Sequence, residues 1–183
     1  MQTRCFWVNN DPLYIEYHDK EWGKPVYDDK TLLEFLLGDT FQAGLSWITI
    51  LKKRENFRAA FDNFDYKKIA NYQQDKFEEL LVNEGIIRNK LKIKSAITTA
   101  QLFLEIQKEF GSFSKFIWKY VDGKPIKNSF ITREEVPAST ALSDVISKEL
   151  KKRGFKFVGS TIIYAFMQAT GMVNDHSVDC FCY

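Results

Sequence analysis

Apolar residues recur along this chain mostly at three- and four-residue intervals, the period of a helix that buries one face, and strict alternation is scarce. The pattern predicts a mainly helical protein. Asp28 and Asp29 stand as N-caps before Leu32, Leu33, Phe35 and Leu36, where acidic groups complement the helix dipole, and this helix is expected to stop near Gly38. A second helical pattern runs from Gln42 to Phe61 with Trp47, Ile50 and Leu51, and a third from Asp75 to Val82 groups Phe77, Leu80 and Leu81. The longest run, Asn89 to Phe110, has Leu91, Ala96, Ile97, Ala100, Leu104 and Ile106 as its expected buried stripe and Gly111 as its stop.

Phe113 to Val121 predicts another short helix. Asp122-Gly123-Lys124-Pro125 signals a turn and opens the least regular section, 122–138, where a short hairpin or loop is expected. Ser139 or Thr140 then caps a helix running to Arg153, Gly154 to Gly159 makes a turn, and Ser160 to Thr170 is helical again before Gly171. No internal repeat or linker interrupts the pattern. Residues 1–183 therefore read as one all-α domain with no separable linker, a reading that leaves room for two helical lobes.

Composition narrows the class without naming a chemistry. A chain of 183 residues buries roughly 70% of its unfolded surface without disulfide staples, and 45% hydrophobic with 27% charged residues excludes a disordered or low-complexity protein. Lys and Arg number 26 against 24 Asp and Glu, which excludes a uniformly basic nucleic-acid coat but permits one basic face. The N-terminus lacks the basic and apolar regions of a secretory signal, so a cytoplasmic protein is expected. Phe157 to Asn174 is uncharged but carries Gly159, Ser160, Thr161, Gln168, Thr170 and Gly171, and reads as a buried helix, not a membrane span.

Three cysteines in a reducing compartment direct attention to metal or thiol chemistry. Cys5, His18, His176 and Cys180 offer the thiolate and imidazole donors that zinc favours, and a helical turn would place His176 and Cys180 on one face. Four such ligands leave no position for water, so a zinc held there would be structural. The alternatives at this stage are unrelated free thiols and surface histidines, or Cys182 in place of Cys180.

Half of the basic residues fall in three short segments, Lys52 to Arg58, Arg88 to Lys94 and Lys148 to Lys156. Such runs are often only solvated faces, but Lys151, Lys152, Arg153 and Lys156 flank a turn that feeds directly into a helix N-terminus. There the backbone N–H groups of Gly159, Ser160 and Thr161 would suit a phosphate. The segment resembles a helix-hairpin-helix DNA-binding element, a weak signal when taken alone.

A more specific likeness lies in Phe41-Gln42-Ala43-Gly44-Leu45-Ser46-Trp47 and the following Ile48-Thr49-Ile50-Leu51-Lys52-Lys53-Arg54-Glu55, which resemble the signature of the bacterial 3-methyladenine DNA glycosylase I family. Asp11-Pro12-Leu13-Tyr14, Tyr17-His18-Asp19, Glu21-Trp22-Gly23, the block from Lys151 to Gly159 and Asn174-Asp175-His176 agree with it, in order, over nearly the whole chain. The resemblance implies a two-lobed helix-hairpin-helix DNA glycosylase fold and monofunctional hydrolysis of the N-glycosidic bond of 3-methyladenine in double-stranded DNA. It further implies one structural zinc on Cys5, His18, His176 and Cys180, joining the N- and C-terminal segments and favouring Cys180 over Cys182. The base pocket carries over onto Tyr17, Trp47 and the catalytic acidic position Asp39, with Trp7 and Trp22 as neighbours. Here the chain departs from the family, which usually has Glu at Asp39 and Gly at Thr40, and Phe6 is bulkier than the residue often found before the first Trp.

These residue types suit the chemistry. A 3-methylated adenine in DNA is cationic and leaves readily, so the requirement is to evert and recognise the base, which aromatic faces do. Asp39 can accept hydrogen bonds from the base edge. Leu45 is the candidate wedge for the gap left in the stack, and Gly44 permits close backbone approach. Asp175 adjoins a metal ligand and is read as supporting, not catalytic. A monomer acting on alkylated DNA is expected; the competing readings are a glycosylase with shifted lesion preference and a zinc-stapled DNA-binding module without catalysis.

Overall fold

The computed structural model describes residues 2–183, and its elements are mainly helices. Helix α1 (Pro12–Lys20) starts at Asp11, whose carboxylate accepts from the Leu13 N–H, with proline in the first turn, where no donor is lost. Asp28 caps α2 (Asp29–Gln42) by accepting from the Thr31 N–H at 2.9 Å. Asp29 instead caps a distant helix: its carboxylate accepts from the N–H groups of Phe113 and Ser114, at the start of α8 (Phe113–Trp118).

Helix α2 does not stop at Gly38 but continues to Gln42, so Asp39 and Thr40 are helical. Gly38 is required by packing, not by termination. A Cβ there would lie 3.3 Å from the Trp47 ring, so glycine lets the indole approach the helix. The pattern expected from Gln42 to Phe61 is likewise interrupted: a loop spans 43–46, followed by α3 (Trp47–Lys52) and α4 (Arg54–Ala60). Two short helices, α5 (Tyr66–Ala70) and α6 (Gln74–Val82), lead to the long α7 (Lys90–Phe110), which Asn89 caps and Gly111 ends at φ +91°.

The buried face of α7 keeps Ala96, Ala100 and Ile106 of the expected stripe but is shifted around the helix to take in Ile93 and Phe103. Ile93, Ala96, Ala100, Phe103 and Ile106 are buried together with Lys92, whereas Leu91 is 67% exposed and Leu104 only partly covered. Phe103 stacks on Phe113 at 3.9 Å, and Phe41, Phe57 and Phe61 cluster nearby in sequence order; each such ring contributes roughly 1.5–3 kcal/mol by burial. Helix α2 touches α3, α7, α8 and the C-terminal helix α10 (Ser160–Ala169), and so sits where the core layers meet.

Thr140, not Ser139, caps α9 (Ala141–Lys152), exchanging bonds with Ser143 in a capping box. The irregular section 122–138 forms no hairpin of its own. Strand β1 (Ile126–Lys127) instead pairs in parallel with β2 (Val173–Asn174), and the Val178 N–H donates to the Phe130 carbonyl. That pairing draws the C-terminal segment out as an extended strand, so His176 and Cys180 are not on a helix; a turn closed by the Cys180 N–H on the Ser177 carbonyl brings them together. The chain ends meet where the Phe181 N–H donates to the Thr3 carbonyl. Among the described residues, no helix is long and apolar enough to cross a membrane.

Candidate functional site

Neighbouring residues of α1 face two different sites. Tyr17 lines an open cavity, while His18, fully buried, joins a cluster of sulfur and nitrogen donors.

The cavity has a volume of about 260 Å³, and roughly 150 Å³ suffices for a benzene ring, so a purine can enter. Its walls are Trp7 and Trp22 from the N-terminal segment, Tyr14 and Tyr17 from α1, Asp39 and Gln42 from α2, and Trp47 from α3, closed by Gln168 and Ala169 of α10. Trp47 and Tyr17 approach with ring centroids 5.5 Å apart, and Trp7 meets Trp22 edge-on at 5.1 Å. The helical continuation past Gly38 is what puts Asp39 on this wall. A smaller apolar space of about 30 Å³ beside Gly38 and Trp47 is too small for a base.

Three buried polar atoms in the described residues lack a hydrogen-bond partner: Nε1 of Trp7, Nε1 of Trp47 and Oδ2 of Asp39. All three residues line this cavity. An orphaned buried polar atom costs about 1–3 kcal/mol, so three of them on residues that share one cavity wall mark a place whose hydrogen-bonding capacity the fold leaves unspent. Burial without a counter-ion pushes the Asp39 carboxyl well above its ordinary range. Asp175, which also lines the cavity, is different, since it accepts from Gln168 at 2.9 Å, from Asn128 at 2.7 Å and from the Tyr164 hydroxyl. Both its oxygens are hydrogen-bonded, and it holds α10 to the β1–β2 segment. Gln42 and Gln168 were not legible as lining residues, because nothing in their spacing distinguishes them from ordinary helix-face glutamines.

In the second site Cys5, His18, His176 and Cys180 are all buried, and their donor atoms lie within 4.8 Å of one another. Cys5 Sγ is 3.3 Å from His176 Nδ1, Cys180 Sγ 3.4 Å from His18 Nε2 and 3.6 Å from His176 Nδ1. Tetrahedral zinc with thiolate and imidazole ligands has donor–donor edges of roughly 3.3–3.8 Å, so the donor set fits. The outer nitrogens are also fixed: His18 Nδ1 lies 2.7 Å from Asp19, itself held by Arg4, and His176 Nε2 lies 3.2 Å from the Trp22 carbonyl. With both outer N–H groups donating, the inner nitrogens present lone pairs. The Arg4 guanidinium holds the Asp19 carboxyl down at about 2. Burial pushes the Cys5 thiol up to about 12 and His176 down to about 4, an environment in which a cation at the centre would be needed to ionise Cys5. Cys182 is not one of these four; its backbone N–H is directed at Cys180 Sγ at 3.4 Å, and its half-buried thiol lies near His18 and Asp19.

Gly23 is a strict requirement of this packing. It has φ +77°, and a Cβ would stand 2.7 Å from His176 Nε2. Gly23→Ala is expected to destabilise the protein by at least ~2 kcal/mol, combining left-handed strain with displacement of the imidazole, and to lower the melting temperature by roughly 4–8 °C. An unchanged thermal melt would show that the ring moves aside freely.

The α9–α10 hairpin presents a shallow cleft lined by Asp144, Ser147, Lys148, Lys151 and Ser160. Gly159 is the N-cap of α10 and lies open, with nothing within 4 Å of where a Cβ would be. Not every basic residue there is available: Arg153 is taken by Glu109 and Glu149. Similarly, Arg54 and Arg58 pair with Glu21, Glu34 and Glu55. In the loop before α3, Gly44 has φ +82° and Leu45 is 41% exposed.

A sequence model of the methyladenine glycosylase family matches residues 7–183. The chain is 52% identical over 180 residues to DNA-3-methyladenine glycosylase 1 of Escherichia coli (strain K12), spanning 98% of this chain and 96% of that protein. A crystal structure of 3-methyladenine DNA glycosylase I is similar with a TM-score of 0.96 at 51% identity, over 99% of this chain and all of that one. A variant of 3-methyladenine DNA glycosylase I, solved in complex with 3-methyladenine, is similar with a TM-score of 0.94 at 36% identity, over 97% of this chain and 96% of that one.

Proposed function

This chain belongs to the methyladenine glycosylase family, and from that membership we propose its reaction: hydrolysis of the N-glycosidic bond of 3-methyladenine in alkylated DNA. It is a DNA-3-methyladenine glycosylase of base excision repair. The observation that carries the reading is a base-sized, aromatic-walled cavity whose wall residues Trp7, Trp47 and Asp39 retain unspent hydrogen-bonding capacity, which suits an adenine-type base with ring acceptors and an amino donor.

The physical basis of selectivity is charge. Asp39 has no counter-ion, so it is costly to ionise in the empty cavity and gains most when a cationic ring arrives. Neutral adenine repays little of that cost. Trp47 and Tyr17 supply the faces that hold an electron-poor ring, with Trp7 and Trp22 closing the edge. The methylated base is already a competent leaving group, so the protein needs to hold it everted more than to protonate it. No lysine lines the cavity among the described residues, in keeping with hydrolysis without lyase chemistry.

Gly44 and Leu45 serve as the wedge that fills the vacated stack, and the α9–α10 hairpin, with Lys156, Gly159, Ser160 and Thr161, receives a phosphate as a helix-hairpin-helix element. The Cys5, His18, His176 and Cys180 cluster holds one structural zinc, which when bound ties the two chain ends into the floor beneath α1. Chromatography of bases released from methylated DNA tests the reading. Free 3-methyladenine is the expected product; release dominated by 7-methylguanine or hypoxanthine would indicate shifted preference, and DNA binding without release of any base would refute catalysis.

A further inference from the structure

We propose that Lys92 is a positioning residue for base eversion: its ammonium fastens the loop at 43–46 to α7 and so fixes how Leu45 is presented to the duplex. The inference rests on the wedge reading of that loop.

Lys92 is only 7% exposed, in the first turn of α7. A cation there opposes that helix's own dipole and loses hydration. What compensates is at the other end: Lys92 Nζ donates to the Phe41 carbonyl at 2.9 Å and the Ala43 carbonyl at 2.6 Å. These belong to the C-terminal end of α2, where the last carbonyls have no partners within the helix and a positive charge is favoured. The end of α2 is otherwise weakly closed. Its C-cap Ala43 turns away at ψ 116°, and the one loop bond back to the helix is from the Leu45 N–H to the Gln42 carbonyl.

The two carbonyls differ in setting. Phe41 is locked in the core against Phe57 and Phe61. Ala43 precedes Gly44, at φ +82°, and exposed Leu45. One ammonium thus ties the start of the wedge loop to the rigid end of the helix. Lys92 does not line the cavity, so its effect belongs to inserting the wedge, not to reading the base.

Lys92→Met keeps the apolar stem and removes the donors. We expect kcat/KM on methylated duplex DNA to fall at least tenfold, while affinity for free 3-methyladenine, followed by tryptophan fluorescence, changes less than twofold. Leu45→Ala should give the same split, and the double variant should be no worse than the weaker single one. Lys92→Gln, which can still donate to one carbonyl, should recover part of the loss and serves alone if the Met variant does not fold. Equal losses for duplex and free base, or fully additive losses with Leu45→Ala, would overturn the proposal in favour of a general packing role. An inactive wild-type protein would refute the glycosylase reading itself, whereas an active wild type with an unaffected Lys92→Met would refute only this inference.

Discussion

Asp39→Asn is expected to lower kcat/KM for 3-methyladenine release about 100-fold, near 2.7 kcal/mol of transition-state stabilisation, and at the same time to raise the melting temperature at pH 7. Both effects follow from one carboxyl that is 3% exposed with an unpartnered oxygen. Burial raises its pKa in the folded state, so folding binds a proton that the unfolded chain releases above about pH 3.9. The resulting penalty is absent below that pH, grows as pH rises toward the folded value and is constant beyond it, at about 1.4 kcal/mol for each pKa unit of elevation. Asparagine removes the penalty, and each kcal/mol recovered is worth roughly 2–4 °C in a chain of this size. Thermal melts of both proteins should therefore converge in acid and diverge at neutrality. Unchanged kinetics would remove the carboxylate from base recognition, and parallel melts across pH would show that it finds a partner in solution.

The second large effect concerns the metal. Dialysed protein is expected to retain about one zinc per chain, and Cys180→Ser to lose it along with at least ~4 kcal/mol of stability, roughly 10 °C. Cys182→Ser should keep both, since Cys5, His18, His176 and Cys180 already complete four buried donors and Cys182 is the less buried thiol beside them. Metal analysis beside thermal melts checks this. Fully folded, zinc-free wild-type protein would overturn the ligand assignment, and equal losses for the two serine variants would mean that Cys182 takes part.

Much of the fold was legible because helix caps and the helical period are local signals. Asn89 and Gly111 bound α7 as expected, and Asp28 starts α2. Where the reading failed, long-range packing decided the outcome. Gly38 looks like a helix stop until Trp47 is seen against it, and Lys92 looks like a surface lysine until its two carbonyl partners, 51 and 49 residues away in sequence, are in place. The β1–β2 pairing joins segments too short and too distant to announce themselves, which is why His176 and Cys180 were expected on a helix. The aromatic members of the cavity were accessible through the family resemblance, but residue type alone did not separate them from core aromatics. Gln42 and Gln168 carry no comparable motif.

Tyr17 and His18 share one turn of α1, so the cavity wall and the Cys/His cluster that gathers both chain ends cannot be adjusted separately. A shift of even ~1 Å in a catalytic wall can cost on the order of a hundredfold in rate. With the proposed zinc in that cluster, a chelator is expected to act as a slow inhibitor that excess substrate does not reverse, because it works through the scaffold and never competes for the place of the damaged nucleotide.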